Sequence, residues 1–228
     1  MSEVQNIITI DGPAGVGKSS VSRKVAAATG FTYLDTGAMY RAVGLFFLQQ
    51  GVNLDDSRKI AEKLAELDLQ LLPAADEASD VGVLLNGENV TDTIRTPEMA
   101  MVASRVSALP VVREILTHIQ RGYGDKGKIV AEGRDTGTVV FPGAAYKFFL
   151  DAVPEERAKR RVLQLRAKGV EADFNQILAM TRERDKNDSE LAISTLKKAE
   201  DAVFIDTSAI TIQQVVDKIL QIVDGKAG

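Results

Sequence analysis

The sequence has no cysteine, no tryptophan and only one histidine. Disulfide bonds, thiolate nucleophiles and Cys/His zinc sites are therefore excluded, because each of them needs residues that the chain lacks. The single histidine, His118, falls within a predicted helix over 111–121, and we interpret it as a surface or half-buried residue rather than a catalytic one. Any chemistry must then rest on Lys, Arg, Asp and Glu side chains and on backbone amides.

Long apolar runs and an excess of positive charge are also missing. No stretch approaches the roughly 20 apolar residues that span a bilayer, and the polar start of the chain does not resemble a signal peptide. The formal net charge of −4 at pH 7 provides no long-range attraction to nucleic acid or anionic membranes. We therefore expect a cytoplasmic protein without membrane or nucleic-acid partners, and a monomer, because coiled-coil heptads are absent.

The bulk composition is that of an ordinary globular protein, with 45% hydrophobic and 26% charged residues in a chain of 228. This length is near the upper size for a single domain, so we predict one domain over 1–228. Short apolar runs alternate with amphipathic helical segments along it. Strands are predicted at 6–10, 33–34, 128–131, 147–150 and 202–205.

This alternation predicts an α/β fold with a parallel central sheet, helices on both faces, and ligands at the carboxyl ends of the strands. One segment departs from the pattern. Alternating apolar residues between 68 and 93, together with the turn-forming pair Asn86-Gly87, predict a small antiparallel insert. Thr96 followed by Pro97 then predicts a capped helix start.

A phosphate-binding loop is predicted directly after the first strand. Residues 12–19 read G-P-A-G-V-G-K-S, which matches G-x-x-x-x-G-K-[ST] in the strand-to-helix context that this motif requires. Backbone amides and the helix start favour an anion, Lys18 would reach the outer phosphates, and Ser19 would hold Mg²⁺. The predicted ATP contacts are Gly12, Pro13, Ala14, Gly15, Val16, Gly17, Lys18, Ser19 and Ser20.

Two further clusters follow predicted strands. Residues 34–41, L-D-T-G-A-M-Y-R, place Thr36, a helix start and Arg41 together, which suits an acceptor phosphate, although a capped helix with a solvated arginine has the same pattern. Residues 132–135, E-G-R-D, bring a carboxylate and an arginine to a strand end. Glu132 is the natural carboxylate for Mg²⁺ there, and an ordinary salt-bridged turn is the alternative.

A cationic helix is predicted from Pro154. Arg157, Arg160 and Arg161 have the spacing of one helix face. Such a run is typical of a solvated surface, and it equally suits a lid that closes over a triphosphate.

Together these motifs resemble the bacterial cytidylate kinase family almost from end to end. The segments that carry the resemblance are I-D-G-P-A-G-V-G-K-S, L-D-T-G-A-M-Y-R, the insert, E-G-R-D-T-G-T-V-V-F-P, E-E-R-A-K-R-R and R-E-R-D. The resemblance implies a three-layer P-loop NTPase fold with a monophosphate-binding region at about 37–110 and a lid at about 153–170. It also implies transfer of the γ-phosphate of ATP to CMP or dCMP.

The resemblance further implies roles for individual residues. Thr36, Arg41 and Arg134 would hold the CMP phosphate. Ser104, Arg113 and Asp135 would read the cytosine, and Arg184 and Asp188 would reach the ribose. The groups expected to assist the transfer itself are Lys18, Arg134, Arg157 and Arg161.

One position departs from the family pattern. Relatives that resemble this chain usually continue D-S-x-R after the R-D pair, whereas here Leu191 stands where the arginine is expected. We predict weaker or altered handling of the acceptor, not a different reaction.

Three other functions share some of these sequence features. The nearest is another small-molecule P-loop kinase that acts on AMP, UMP or shikimate. A nucleotide-dependent switch is disfavoured because residues 185–188, D-K-N-D, are not the N-K-x-D guanine reader. The D-T-G triplets at 35–37 and 135–137 resemble those of pepsin-like proteases, but those proteins are all-β, whereas this sequence is rich in helices.

Overall fold

The computed structural model describes residues 5–74, 79–167, 169–190 and 196–226. Its centre is a five-stranded sheet with the order β2-β6-β1-β7-β8. Each neighbouring pair in that sheet is parallel, as the sequence predicts. Its strands are β1 (Gln5–Asp11), β2 (Thr32–Asp35), β6 (Ile129–Gly133), β7 (Ala144–Asp151) and β8 (Val203–Asp206).

Helices cover both faces of the sheet. Along β1, Ile7 belongs to one apolar core and its neighbour Ile8 to the other, because successive side chains of a strand point to opposite faces. The first core packs α2, α4 and α5 on the sheet, and the second packs α1 and α8. The helices are α1 (Lys18–Thr29), α2 (Thr36–Gln49), α3 (Ser57–Leu64), α4 (Pro97–Ser107), α5 (Pro110–Gly124), α6 (Pro154–Ala167), α7 (Phe174–Glu190) and α8 (Ile212–Lys226).

The predicted antiparallel insert is present as a second sheet with the order β3-β4-β5. Asn86 and Gly87 connect its last two strands, and their φ angles of 49° and 82° are both left-handed, as a tight two-residue hairpin turn requires. Val83 and Leu85 are buried in the core that also holds α2. The strands are β3 (Leu69–Leu72), β4 (Gly82–Leu85) and β5 (Glu88–Asn89).

Helix starts follow the capping residues closely. α2 begins at Thr36, because the Asp35 side chain accepts a hydrogen bond from the Ala38 amide. Thr96 caps α4 as predicted, by accepting from the Met99 amide at 3.3 Å. Among the described residues, no helix is both long enough and apolar enough to cross a membrane.

One wide helical turn, residues 136–140, has no counterpart in the sequence predictions. The carboxylate of Asp11, at the end of β1, holds this turn. It accepts hydrogen bonds from the Thr136 amide at 2.9 Å, the Thr136 hydroxyl at 2.7 Å and the Gly137 amide at 2.8 Å. The turn therefore follows from a contact between residues about 125 positions apart, which periodicity alone does not reveal.

Candidate active site

The phosphate-binding loop joins β1 to α1 at the carboxyl edge of the sheet. Gly12 has a φ of +149°, and a Cβ atom at this position would lie 2.0 Å from the carbonyl oxygen of Leu150. Gly17, directly before α1, has a φ of 94°. Both positions need glycine, one for close backbone approach and one for a left-handed conformation. The loop thus has the backbone shape that presents amides to a phosphate at a helix start.

Lys18 is a buried cation within this loop. Its Nζ atom donates to the carbonyl oxygen of Pro13 at 2.8 Å. The pKa of Lys18 is lowered to about 7, mainly by burial and then by the positive charges of Arg134 and Arg184, while the charge of Glu132 opposes the shift. An anion at this point would restore the ordinary protonation of the lysine.

Other cations converge on the same edge from different elements. Burial lowers the pKa of Arg184, and the charges of Arg134 and Arg41 act in the same direction. Arg134 is partly compensated, because its Nε atom lies 3.1 Å from Oδ2 of Asp188. Residues from α1, α2, the end of β6 and α7 therefore repel one another here, which is an arrangement suited to negatively charged phosphates.

Glu132 lies at the end of β6 next to the first turn of α1. The Ser19 hydroxyl donates to its Oε1 atom at 2.8 Å. The Oε2 atom is buried and has no hydrogen-bond partner. Burial raises the pKa of Glu132, and the negative charge of Asp35 adds to this effect. A buried acceptor without a partner, beside a hydroxyl, suits a hard cation.

The residues present fit a Mg²⁺ ion that is shared with phosphate and water better than a metal ion bound only by protein side chains. No group of three or more His, Asp or Glu side chains that could cage a metal occurs in the described ranges. Mg²⁺ is typically bound by one or two protein oxygens, with substrate phosphates and water completing its coordination. Ser19 and Glu132 provide such a pair next to the phosphate-binding loop.

Two arginines meet the carboxylate of Asp35 on the acceptor side. The Oδ2 atom lies 3.2 Å from Nη2 of Arg41 and 2.8 Å from Nη1 of Arg95. Burial would raise the pKa of Asp35, but Arg41 and Arg95 bring it below its ordinary value. Nε of Arg41 and Nη2 of Arg95 are buried without hydrogen-bond partners, so donors remain for an anion.

The sequence predictions do not include Arg95, because it is 60 residues from Asp35 along the chain. The only local signal is its place just before the capped start of α4. Thr36, by contrast, is the first residue of α2. Its hydroxyl donates to the carbonyl oxygen of Glu132 at 2.7 Å and so joins α2 to β6.

Arg113 on α5 and Asp135, the second residue after β6, form an ion pair. Burial raises the pKa of Asp135, and the charge of Arg113 opposes this shift. Arg113 Nη1 also approaches the carbonyl oxygen of Ser107 at 3.5 Å, and the Ser107 hydroxyl donates to the carbonyl of the half-buried Ser104. The three residues predicted to read cytosine are thus linked through one short stretch of α4 and α5.

Asp35 and Asp135 do not form the carboxylate pair of an aspartic protease. Each is bound to its own arginine partners, and the surrounding sheet is parallel and covered by helices. The D-T-G triplets therefore cap a helix in one case and precede a turn in the other.

The predicted lid arginines have three different environments. Arg157 is buried and donates to the carbonyl of Ala14 in the phosphate-binding loop at 3.1 Å. Arg160 donates to the hydroxyl of Thr207 at 3.2 Å, and Arg161 is exposed. The helix that carries them, α6, therefore contacts the phosphate-binding loop through Arg157. Leu191 lies outside the described residues.

A family model described as cytidylate kinase matches residues 8–225. The chain belongs to the cytidylate kinase family. A cytidylate kinase from Carboxydothermus hydrogenoformans is 48% identical over 219 residues, which are 96% of this chain and 97% of that protein. One from Pasteurella multocida is 46% identical over 94% of this chain and 93% of its own length.

Some relatives are longer than this chain. A bifunctional pantoate ligase/cytidylate kinase from Synechococcus elongatus is 50% identical over 95% of this chain, which spans only 41% of that protein. Among solved structures, a shikimate kinase from Bacteroides thetaiotaomicron aligns with 96% of this chain at 9% identity and a TM-score of 0.46. Likeness at that level bears on neither activity nor substrate.

Proposed function

We propose that the chain transfers the γ-phosphate of ATP to CMP or dCMP and releases ADP with CDP or dCDP. The observation that carries the proposal is the 48% identity with a cytidylate kinase over nearly the full length of both chains. The site supports it independently, because a phosphate-binding loop, a second anion pocket and a polar pair suited to a base share one edge of the sheet.

On the donor side, residues 12–20 bind the phosphates of ATP through backbone amides and the ammonium group of Lys18. The glycine-specific conformations of Gly12 and Gly17 support this role. Lys18 gains its full charge when the phosphates arrive, because they offset the burial that lowers its pKa.

On the acceptor side, Thr36, Arg41 and Arg134 hold the CMP phosphate. Arg95 joins them, since its Nη2 atom and Nε of Arg41 are buried donors without partners. Arg184 and Asp188 on α7 contact the ribose.

Arg113, Asp135 and Ser104 read the base. A carboxylate accepts from the exocyclic amine of cytosine, and arginine and serine donate to its acceptor atoms. Uracil has a carbonyl oxygen where cytosine has its exocyclic amine. Two acceptors would then face each other at Asp135, and no hydrogen bond would form between them.

The reaction needs no general base. A phosphate monoester has a second pKa of about 6, so the attacking oxygen of CMP is already largely ionised at neutral pH. Lys18, Arg134 and the arginines Arg157 and Arg161 neutralise charge, while the two substrates are held in line.

Mg²⁺ is the metal that this donor set fits, with Ser19 and Glu132 holding it beside the ATP phosphates. When bound, it neutralises charge on the transferred phosphoryl group. The burial of the Glu132 carboxylate beside the Ser19 hydroxyl supports this assignment.

We also infer the organisation of the chain around this reaction. It acts as one kinase domain over 1–228, with a monophosphate-binding region at about 37–110 and a lid at about 153–170. Closure of the lid excludes water and limits wasteful hydrolysis of ATP. We infer that the protein works as a cytoplasmic monomer, without nucleic-acid or membrane partners.

The test is ADP release from the purified protein with MgATP and CMP, dCMP, UMP, AMP, GMP or shikimate in parallel. Preferential turnover of CMP and dCMP is expected. Preference for another acceptor would retain the P-loop kinase and overturn the assigned base-reading residues. No transfer to any acceptor would overturn the kinase assignment.

A further inference from the structure

Two buried polar atoms next to the phosphate-binding loop lack a hydrogen-bond partner. They are the hydroxyl of Tyr33 and Oε2 of Glu132. One is a donor and the other an acceptor, since a neutral phenol donates and a carboxylate only accepts. Buried polar groups in native proteins are nearly always paired, so two complementary orphans in one region need an explanation.

The sheet brings these two side chains together. In the parallel pair β2 and β6, Tyr33 lies opposite Val130, and Asp35 lies opposite Glu132. Side chains two residues apart on a strand share a face, so Tyr33 and Glu132 are diagonal neighbours on one face. A long aromatic side chain spans that diagonal. The same face is covered by α1, where Ser19 contacts Glu132.

The other acceptors near Tyr33 are already engaged. Both oxygens of Asp35 accept hydrogen bonds, one from the Ala38 amide and one from Arg41 and Arg95. Oε1 of Glu132 accepts from Ser19. Of these four carboxylate oxygens, Oε2 of Glu132 is therefore the one that has no donor. Burial and then the charge of Glu132 raise the pKa of Tyr33, so its hydroxyl retains its proton.

We propose that Tyr33 is a positioning residue for the metal carboxylate: its hydroxyl donates to Oε2 of Glu132, directly or through one ordered water. Ser19 and Tyr33 then restrain one carboxylate oxygen each and fix the rotation of Glu132 toward the nucleotide-bound cation. This inference rests on the proposed binding of magnesium nucleotide, but not on the identity of the acceptor.

Such support matters because the partners of a metal-binding carboxylate set its orientation. Loss of one outer partner typically costs 10- to 100-fold in metal affinity or activity. Tyr33 is not among the residues assigned to the nucleotide or to the acceptor, so we expect its loss to affect only the metal-dependent part of nucleotide binding.

The test is ADP binding by the full chain, measured by calorimetry with and without Mg²⁺ and with no acceptor present. Tyr33→Phe removes only the hydroxyl. We expect its metal-free ADP affinity to match the wild type and its gain in affinity on adding Mg²⁺ to fall about 10-fold. In steady-state assays the Mg²⁺ requirement should rise, with an unchanged KM for CMP.

Tyr123→Phe is the matched control, because it removes a hydroxyl that accepts from the Leu71 amide away from this site. It should retain the full gain from Mg²⁺. A second test uses Glu132→Gln, in which Tyr33→Phe should cause no further loss of that gain.

The positioning role would be overturned if Mg²⁺ increased the ADP affinity of Tyr33→Phe as much as it does in the wild type. It would also be overturned if the substitution lowered ADP affinity equally with and without Mg²⁺. An additive effect in the Glu132→Gln background would also overturn it. If the wild type bound ADP without any effect of Mg²⁺, this inference and the proposed magnesium site would both fail. A wrong acceptor assignment would leave these measurements unaffected, so the two failures are distinguishable.

Discussion

Arg157 on α6 and Asp185 on α7 form a two-armed ion pair, with Nη1 to Oδ1 at 2.8 Å and Nη2 to Oδ2 at 2.5 Å. Arg157 also donates through Nη1 to Ala14 in the phosphate-binding loop and through Nε to Ala152. The arginine side chain is 4% exposed, whereas the aspartate is 28% exposed. Asp185 therefore orients a buried cation that touches the loop.

Asp185→Ala should be strongly destabilising, because it leaves the Arg157 guanidinium buried without its counter-charge. Breaking a buried pair by removing one partner costs about 3 kcal/mol in the free energy of unfolding. Urea denaturation measures this change. Since Arg157 contacts the phosphate-binding loop, we also expect a higher KM for ATP.

Glu156→Ala is the control on the same helix. It breaks the pair with Lys159, in which the side chains are 34% and 58% exposed. Solvent screens such a pair, so the loss should be about 0.5 kcal/mol or less. Equal losses in the two variants would contradict a special role for the Arg157 pair.

Nucleotide binding should be accompanied by proton uptake at Lys18. Because the pKa of Lys18 is lowered to about 7 in the free protein, most molecules carry a neutral lysine at pH 8. The phosphates of ADP raise this pKa, so the complex binds more protons than the free protein. Uptake of up to about one proton is expected at pH 8, and the affinity for ADP should fall as pH rises above 7.

Calorimetric titration with ADP in buffers of different ionisation heats counts these protons. Lys18→Arg is the matched control, because arginine stays charged throughout this pH range. The variant should bind without uptake at this position. The same uptake in both proteins would assign the protons to another group.

The features that sequence reasoning captured are contiguous. The phosphate-binding loop lies in eight successive residues, and the flanking strand and helix have clear apolar patterns. The sequence predicts that the sheet is parallel but does not predict the order of its strands. The parallel arrangement is enough to bring Glu132 near the loop, because both lie at the carboxyl edge of the sheet.

The features that escaped it depend on contacts distant in sequence. Arg95 reaches Asp35 across 60 residues, and Asp11 holds the turn at Thr136 across 125. Tyr33 looked like an ordinary strand residue, because nothing in its neighbours indicates that its hydroxyl is buried near Glu132. Periodicity and local motifs can be recognised in a single sequence. Contacts between residues far apart in the chain can be identified only from the packed structure.

Asp11→Ala should destabilise the protein and loosen the turn that follows Asp135. Three hydrogen bonds end on this buried carboxylate, and two of the donors are backbone amides. Leaving them unsatisfied should cost about 3 kcal/mol in unfolding free energy. Asp173→Ala, which removes an exposed bond to the Gln176 amide at the start of α7, should cost about 1 kcal/mol. Similar denaturation midpoints for the two variants would refute this account.

Leu191→Arg should improve acceptor handling. The resemblance to cytidylate kinases places an arginine at this position and so predicts that this chain lacks one cation for the acceptor. We expect a lower KM for CMP with little change in the KM for ATP, since the added charge would serve the acceptor alone. Leu191→Lys tests whether charge suffices. An unchanged KM for CMP in the arginine variant would show that this chain has already replaced the missing contact.

Asp135→Asn should weaken discrimination between cytosine and uracil. The aspartate lies against Arg113, and its carboxylate can only accept hydrogen bonds. An amide can also donate, so it meets the O4 acceptor of uracil where the carboxylate repels it. A misread base edge costs about 1–3 kcal/mol, so kcat/KM for CMP should fall about 10- to 100-fold while that for UMP stays level or rises.

The free energy of unfolding of Asp135→Asn should be measured along with its selectivity, because Asp135 is buried and Arg113 would lose its counter-charge. This measurement separates general destabilisation from a change in base reading. Disordering of the pocket would lower kcat/KM for CMP and UMP together, because both acceptors use the same phosphate and ribose contacts. A base-reading role requires kcat/KM for CMP and kcat/KM for UMP to change by different factors while the KM for ATP stays the same. A parallel fall would therefore reassign Asp135 from reading the base to holding Arg113 in place.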